Sequence, residues 1–297
     1  MIYALLSVLL WSTQATAFKL TLRYTNQFGL LIISSITSLI VYLLWLIASK
    51  KFIDEIKNFK RNTKSIILGL LNPFLYYIVL FTAYSILKAQ EALVLNYLWP
   101  IVLTILSSLL FKKRLTPVKL IALLISFSGA FITITQGNVK NLSFKNPLGV
   151  SLALLSTVIW AVYWLLNMTD KRETEKKLFY NFLFGNLYLL IFAFLSRPIK
   201  INSPLAILGG IYVGLFEMGI TFLLWLKALS SIRDTARVSN VIYFAPFLSL
   251  LFISLILKEK IYTSTIIGLV LIILGVLLQE YLHSKGSFKN AATTSHN

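Results

Sequence analysis

One acidic side chain lies well inside an apolar stretch. Glu217 stands about twelve residues into a run covering 204–226, whereas Asp54, Glu55, Asp170, Glu173, Glu175, Asp234 and Glu259 fall between such runs and Glu91 and Glu280 at their edges. An ionised carboxylate at the centre of a membrane-length run costs roughly 2.5–3.5 kcal/mol. Glu217 should therefore be neutral, paired or facing water. Two chemistries are open to it: to take and release a proton in the wall of a polar cavity, or to make a local hydrogen bond between packed helices.

Two prolines mark further positions of interest. Pro100 and Pro246 each remove a backbone donor and free a carbonyl about four residues earlier, near Asn96 and Ile242. Asn96, Tyr97 and Trp99 beside the first, and Asn240 and Tyr243 beside the second, then offer hydrogen bonds and a stacking face. Trp11 and Trp160 sit too deep in their runs for an interfacial aromatic belt, and Tyr163, Trp164 and Trp225 add to the aromatic supply. Such residues line a cavity for an amphipathic solute, or pack helices. No pair of acids or metal-ligand cluster falls within the runs, both histidines, His283 and His296, lie at or beyond the last run, and cysteine is absent. The expectation is no cofactor, no metal and no catalytic residue. No phosphate-binding loop of the Walker type is visible, which argues against direct coupling to ATP.

The elements that must position these residues are membrane helices. Of 297 residues, 58% are hydrophobic and 13% charged, with mean hydropathy +0.81; soluble domains carry about 25% charged residues. Ten apolar runs stand out, at 2–18, 28–49, 65–87, 91–111, 118–136, 148–168, 178–196, 204–226, 236–257 and 262–282. The net charge of +18 comes from Lys and Arg in the short breaks between runs, where they meet lipid headgroups, so nucleic acid is not the expected partner. Placing the N-terminus inside puts most of the 28 Lys and Arg on the cytoplasmic side, and both termini with them. Ala15-Thr16-Ala17 imitates a signal-peptide cleavage site, but nothing basic precedes the first run, which is expected to be retained. Gly210 and Gly214 form a small-xxx-small pair, for packing within the bundle rather than for dimerisation.

The chain also repeats itself. Ala4-Leu5-Leu6-Ser7 with Trp11 matches Ala153-Leu154-Leu155-Ser156 with Trp160, and Tyr97-Leu98-Trp99-Pro100 matches Tyr243-Phe244-Ala245-Pro246. Lys112-Lys113-Arg114-Leu115 matches Lys258-Glu259-Lys260-Ile261, and Gly129 matches Gly275. The offset is 149 at the first pair and 146 at the others. Residues 1–137 and 138–283 then form two five-helix units, and 284–297 a disordered cytoplasmic tail. An odd number of spans per unit inverts the second relative to the first, which suits a central site reached alternately from each side. In this register Asn72, just before Pro73, is the counterpart of Glu217.

Leu95-Asn96-Tyr97-Leu98-Trp99-Pro100, Trp11-Ser12-Thr13 and Ile159-Trp160-Ala161-Val162-Tyr163 resemble the drug/metabolite transporter superfamily, its EamA branch, and within that the aromatic amino acid exporters of the YddG type. The resemblance implies an inner (cytoplasmic) membrane exporter whose central cavity is lined mainly by the third, fourth, sixth, eighth and ninth helices. Trp99 and Trp160 become cavity residues with Asn96 and Tyr163 close by. Glu217 departs from the aromatic exporters, whose acidic residue lies in the third helix; Tyr77 or a neighbour occupies that place here. The expected protein is a monomeric secondary transporter of amino acids or related small metabolites in the lipid bilayer, exporting or exchanging them by alternating access. The competing readings are a flippase or exporter of lipid-linked or phosphorylated sugars, and a membrane-embedded enzyme.

Overall fold

The computed structural model describes residues 1–50, 62–110, 117–138, 146–196, 199–231 and 241–294. These residues are almost wholly helical. In chain order the helices are α1 (Ile2–Ser12), α2 (Gln14–Thr21), α3 (Gln27–Ala48), α4 (Lys64–Gly69), α5 (Tyr76–Ile86), α6 (Ala89–Asn96) and α7 (Trp99–Leu110). There follow α8 (Pro117–Ile134), α9 (Pro147–Met168), α10 (Thr174–Ser196), α11 (Pro204–Val213), α12 (Ile220–Ser231), α13 (Ala245–Leu257) and α14 (Thr263–Thr294). A kink joins α4 to α5 at Leu70–Leu75, where Asn72 takes an extended backbone (φ −145°, ψ 120°), and a widened π turn joins α11 to α12 at Gly214–Gly219.

Among the described residues, seven stretches are long and apolar enough to cross a membrane: Gln27–Ala48, Lys64–Ile86, Ala89–Leu110, Pro117–Ile134, Pro147–Met168, Thr174–Leu195 and Pro204–Trp225. Ile242–Leu257 and Thr263–Leu278 are apolar and shorter. The first apolar run divides at Thr13, where the hydroxyls of Ser12 and Thr13 donate to the carbonyls of Leu9 (2.6 Å) and Leu10 (2.7 Å). Hydroxyls that take helical carbonyls in this way bend a helix. The tail expected to be disordered is instead helical as far as Thr294. No proline interrupts it, and extending an existing helix adds one hydrogen bond per residue fixed.

Local chemistry explains the sharp helix starts. Asn26 caps α3 by accepting from Gly29 N (2.9 Å), and Ser203 caps α11 by accepting from Leu205 N (3.2 Å). Asn146 accepts from Gly149 N (3.3 Å) ahead of Pro147, a residue suited to a first helical turn. At the other end of α13, Lys258 takes a left-handed conformation (φ 58°) and ends the helix.

Packing puts the rods around one core. α8 lies along α14, α10 along α3 and α4, α11 along α2 and α3, and α9 against α5, α6 and α7. A Cβ on Gly129 would sit on the Gly268 carbonyl, so α8 and α14 approach backbone to backbone. Gly210 and Gly214 face Ile33, Ser34 and Thr37 of α3 in the same manner, which makes that pair a packing device within the bundle. Large apolar side chains such as Phe194, Leu195 and Leu109 point outward, as lipid contact requires.

Polar ties bind both ends of the Lys64–Ile86 rod. At its start Arg172 donates to Asn62 Oδ1 (2.5 Å), Ser65 Oγ (2.9 Å) and the Asp170 carboxylate. Burial pushes the Asp170 carboxyl up, but hydrogen bonds and charge from Arg172 outweigh it and hold the group below its usual value. Beyond the rod's other end, buried Gln90 donates to the Lys260 carbonyl (2.9 Å) and accepts from Tyr262 N (3.0 Å) and Thr265 Oγ1 (2.9 Å). Lys88 donates to the Tyr262 hydroxyl, which pushes its ammonium above the ordinary lysine value, and Gln136 donates to Glu91 (2.7 Å).

Candidate functional site

The π turn at Gly214–Gly219 is where a carboxylate can be aimed into the bundle. A π turn misaligns backbone carbonyls, and inside a membrane each of them needs a donor. The donors are present. Ser38 Oγ donates to Gly214 O (2.8 Å), Thr221 Oγ1 to Phe216 O (2.5 Å), Trp11 Nε1 to Glu217 O (3.2 Å) and the Tyr42 hydroxyl to Met218 O. Side chains of α1, α3 and α12 therefore fix the segment that carries Glu217.

Its carboxylate is satisfied as well. The Tyr77 hydroxyl donates to Oε1 (3.1 Å), and the Gln14 amide, in the orientation that satisfies both groups, donates to both carboxylate oxygens, at 3.0 Å to Oε1. Glu217 is buried, and it lines a cavity of about 290 Å³.

The facing wall is aromatic. Tyr76 stacks on Trp160 with centroids 4.5 Å apart at 28°, and Trp160 meets Phe222 at 6.4 Å and Trp164 at 5.9 Å. Trp11 packs edge-on against Phe222 (5.6 Å) and beside Trp225 (5.5 Å), and Trp99 lies parallel to Trp164 (6.5 Å). Asn96 is held between the walls. Its Nδ2 donates to Ser156 Oγ (3.0 Å), and its Oδ1 lies 3.4 Å from the Tyr76 hydroxyl, which donates to it. Ser156 belongs to the repeated Ala-Leu-Leu-Ser string, so that string positions a cavity amide.

The residues singled out in the sequence divide in three ways. Trp99, Trp160, Asn96, Tyr243, Pro100 and Glu217 line the cavity. Tyr77 and Tyr163 stand behind it. Tyr77 touches Glu217, while Tyr163 stacks on Trp160 (5.5 Å) and its hydroxyl accepts from Asn181 (3.3 Å) and hydrogen bonds to Asn72. Asn72 is buried at the kink of the third apolar run and does not line the cavity; the peptide joining it to Pro73 is cis. Pro246 is buried in the first turn of α13, and Asn240 lies outside the described residues. Both Pro100 and Pro246 open a new helix, where a missing donor costs nothing.

Gln14, Tyr76 and Phe222 line the cavity and escaped the sequence reading. A signal existed for two of them. Gln14 follows Trp11 by three residues and Trp225 follows Phe222 by three, a spacing that shares one helix face. Chemically, the cavity offers aromatic faces to an apolar body and one carboxylate to a polar head.

The model of the EamA-like transporter family matches this chain twice, over residues 1–135 and 147–279. The chain is 24% identical to an uncharacterized transporter of Archaeoglobus fulgidus, over 92% of this chain and 95% of the relative. It is 22% identical to the uncharacterized transporter YvbV of Bacillus subtilis, over 98% of this chain and 93% of that one. A solved crystal structure at 22% identity, covering 96% of this chain and 97% of its own, superposes with a TM-score of 0.66 and so shares the fold. With one family matched over nearly the whole length and, among the described residues, seven stretches long and apolar enough to cross a bilayer, this multi-pass membrane protein belongs to the EamA-like transporter family.

Proposed function

We propose that the chain is a secondary transporter that exports or exchanges a small metabolite with a hydrophobic or aromatic body, amino acids and their relatives first, by alternating access. In this reading it has ten spans in two inverted five-helix repeats, acts as a monomer, and sits in the cytoplasmic membrane with both termini inside. The observation that carries the reading is the cavity around Glu217, lined from both halves. Trp11, Asn96 and Trp99 come from one half and Trp160, Phe222 and Tyr243 from the other. Supporting the repeat, the third and eighth apolar runs both break mid-span, at a kink over Leu70–Leu75 and a π turn over Gly214–Gly219, and Asn72 and Glu217 stand in these breaks. Trp11 on Phe222 and Trp160 on Tyr76 are likewise matched pairs. The orientation rests on the distribution of Lys and Arg.

The cavity argues against a lipid-linked or phosphorylated sugar. At about 290 Å³ it stands at the small end of ligand pockets, which run roughly 300–1,000 Å³. Phosphate needs cationic partners, and three lysines near the ends of the apolar runs are engaged elsewhere. Lys19 donates to Tyr84 O (2.6 Å), Lys88 to Tyr262, and Lys227 lies 4.7 Å over the Tyr3 ring. The test is flux of labelled amino acids and their derivatives in proteoliposomes, with Trp99→Ala and Trp160→Ala as variants. Flux that both variants weaken supports the reading; flux that neither variant changes removes the cavity from it.

A further inference from the structure

The charge balance of the cavity restricts its occupant more tightly than its shape does. Among the described residues that line it, Glu217 carries the only formal charge. Its carboxylate is held by neutral donors, the Tyr77 hydroxyl and the Gln14 amide, and no described lysine or arginine pairs with it. Rings converge on the same spot. Trp11 donates to the Glu217 carbonyl and packs on Phe222, Phe222 faces Trp160, and Trp160 stacks on Tyr76.

A carboxylate ringed by aromatic faces is a complementary site for an ammonium group. Ring faces attract cations, most strongly where water is excluded, and a buried carboxylate without a cationic partner gains one from such a ligand. The same site disfavours a second carboxylate. The carboxylate of a zwitterion would enter a space that holds one acid already and no described cation to receive a second. We infer that the ligand is an organic monocation, an ammonium on an aromatic or alkyl body, seated on Glu217, and that zwitterions and anions are discriminated against. This rests on the reading of the cavity as the transport site, and it narrows the metabolite to an amine.

The test uses four indoles of one shape on the detergent-purified full chain: tryptamine, tryptophan, indole-3-ethanol and indole-3-propionate. Affinity is read by thermal shift, and flux of the same compounds is read in proteoliposomes. Tryptamine should bind about tenfold or more tightly than each of the others. Glu217→Gln should remove that preference, bringing tryptamine down to the affinity of indole-3-ethanol. The comparison among ligands stands on the unmodified chain, so it decides even if the variant fails to fold. Equal or tighter binding of tryptophan or indole-3-propionate, a preference for tryptamine that survives Glu217→Gln, or binding of none of the four would each overturn the inference. Transport of tryptophan but not tryptamine would overturn it and leave the transport reading standing. Selective tryptamine binding without flux would do the reverse.

Discussion

At the residue scale, Glu217 and Trp160 carry the account. Glu217 can hold a proton or a positively charged ligand in one place, and competition between the two is a direct way to couple a proton gradient to transport. Glu217→Gln keeps the shape and the hydrogen bond from Tyr77 but removes the titrating group. The variant is expected to lose gradient-driven uptake in proteoliposomes and to weaken exchange of an amine without abolishing it; full retention of both would return Glu217 to a packing role. Deep tryptophans and a lone mid-span acid were legible in the sequence because their cost in a bilayer is high and their depth can be counted. Gln14, Tyr76 and Phe222 were not, because which face they present depends on the corner at Thr13, the kink at Asn72 and the π turn at Gly214–Gly219. An extra residue in a helix turns everything after it by about 100°. This explains why Tyr77 looked like the cavity residue while Tyr76 lines it and Tyr77 reaches Glu217 from behind.

At the element scale, broken helices build the site. Prolines announced the α6–α7 break, and capping residues announced several helix starts, because both act within a few residues. The π turn at Gly214–Gly219 gave no such local signal, although Pro73 marked the kink at Leu70–Leu75. The π turn persists because donors distant in sequence, Ser38, Tyr42 and Trp11, satisfy its carbonyls, and a window reading cannot see such partners. The Asp170–Arg172 tie tests whether the ends of the rods are held as described. A carboxyl held below its usual value stabilises the fold at pH above the unfolded value, near 3.9, and this contribution fades as pH falls through the folded value. Asp170→Asn should therefore lower the melting temperature of the purified protein at neutral pH. The gap from the parent should close on acidification below the ordinary carboxylate range. A gap that is absent at neutral pH, or that widens in acid, would contradict the tie.

At the scale of the whole molecule, the proposed inversion of the two halves would set what alternates with what. The chain has no cysteine, so single introduced thiols report sidedness cleanly. In intact cells, Asn202→Cys is expected to react with a membrane-impermeant maleimide, and Glu173→Cys only after permeabilisation; the opposite pattern would reverse the proposed orientation. The halves differ where they meet the cavity, with Trp99 against Ala245 and Asn72 against Glu217. Aromatic faces come from both halves, and the carboxylate from the second alone. The claim that this cavity carries substrate is tested most directly by counterflow in proteoliposomes. Vesicles are preloaded with an aromatic amine or amino acid, and entry of the labelled compound is followed for the parent chain and for Trp160→Ala. The account expects labelled substrate to accumulate transiently with the parent and to fall to the protein-free level with the variant. No counterflow of any member of the panel, or equal counterflow by both proteins, would contradict it.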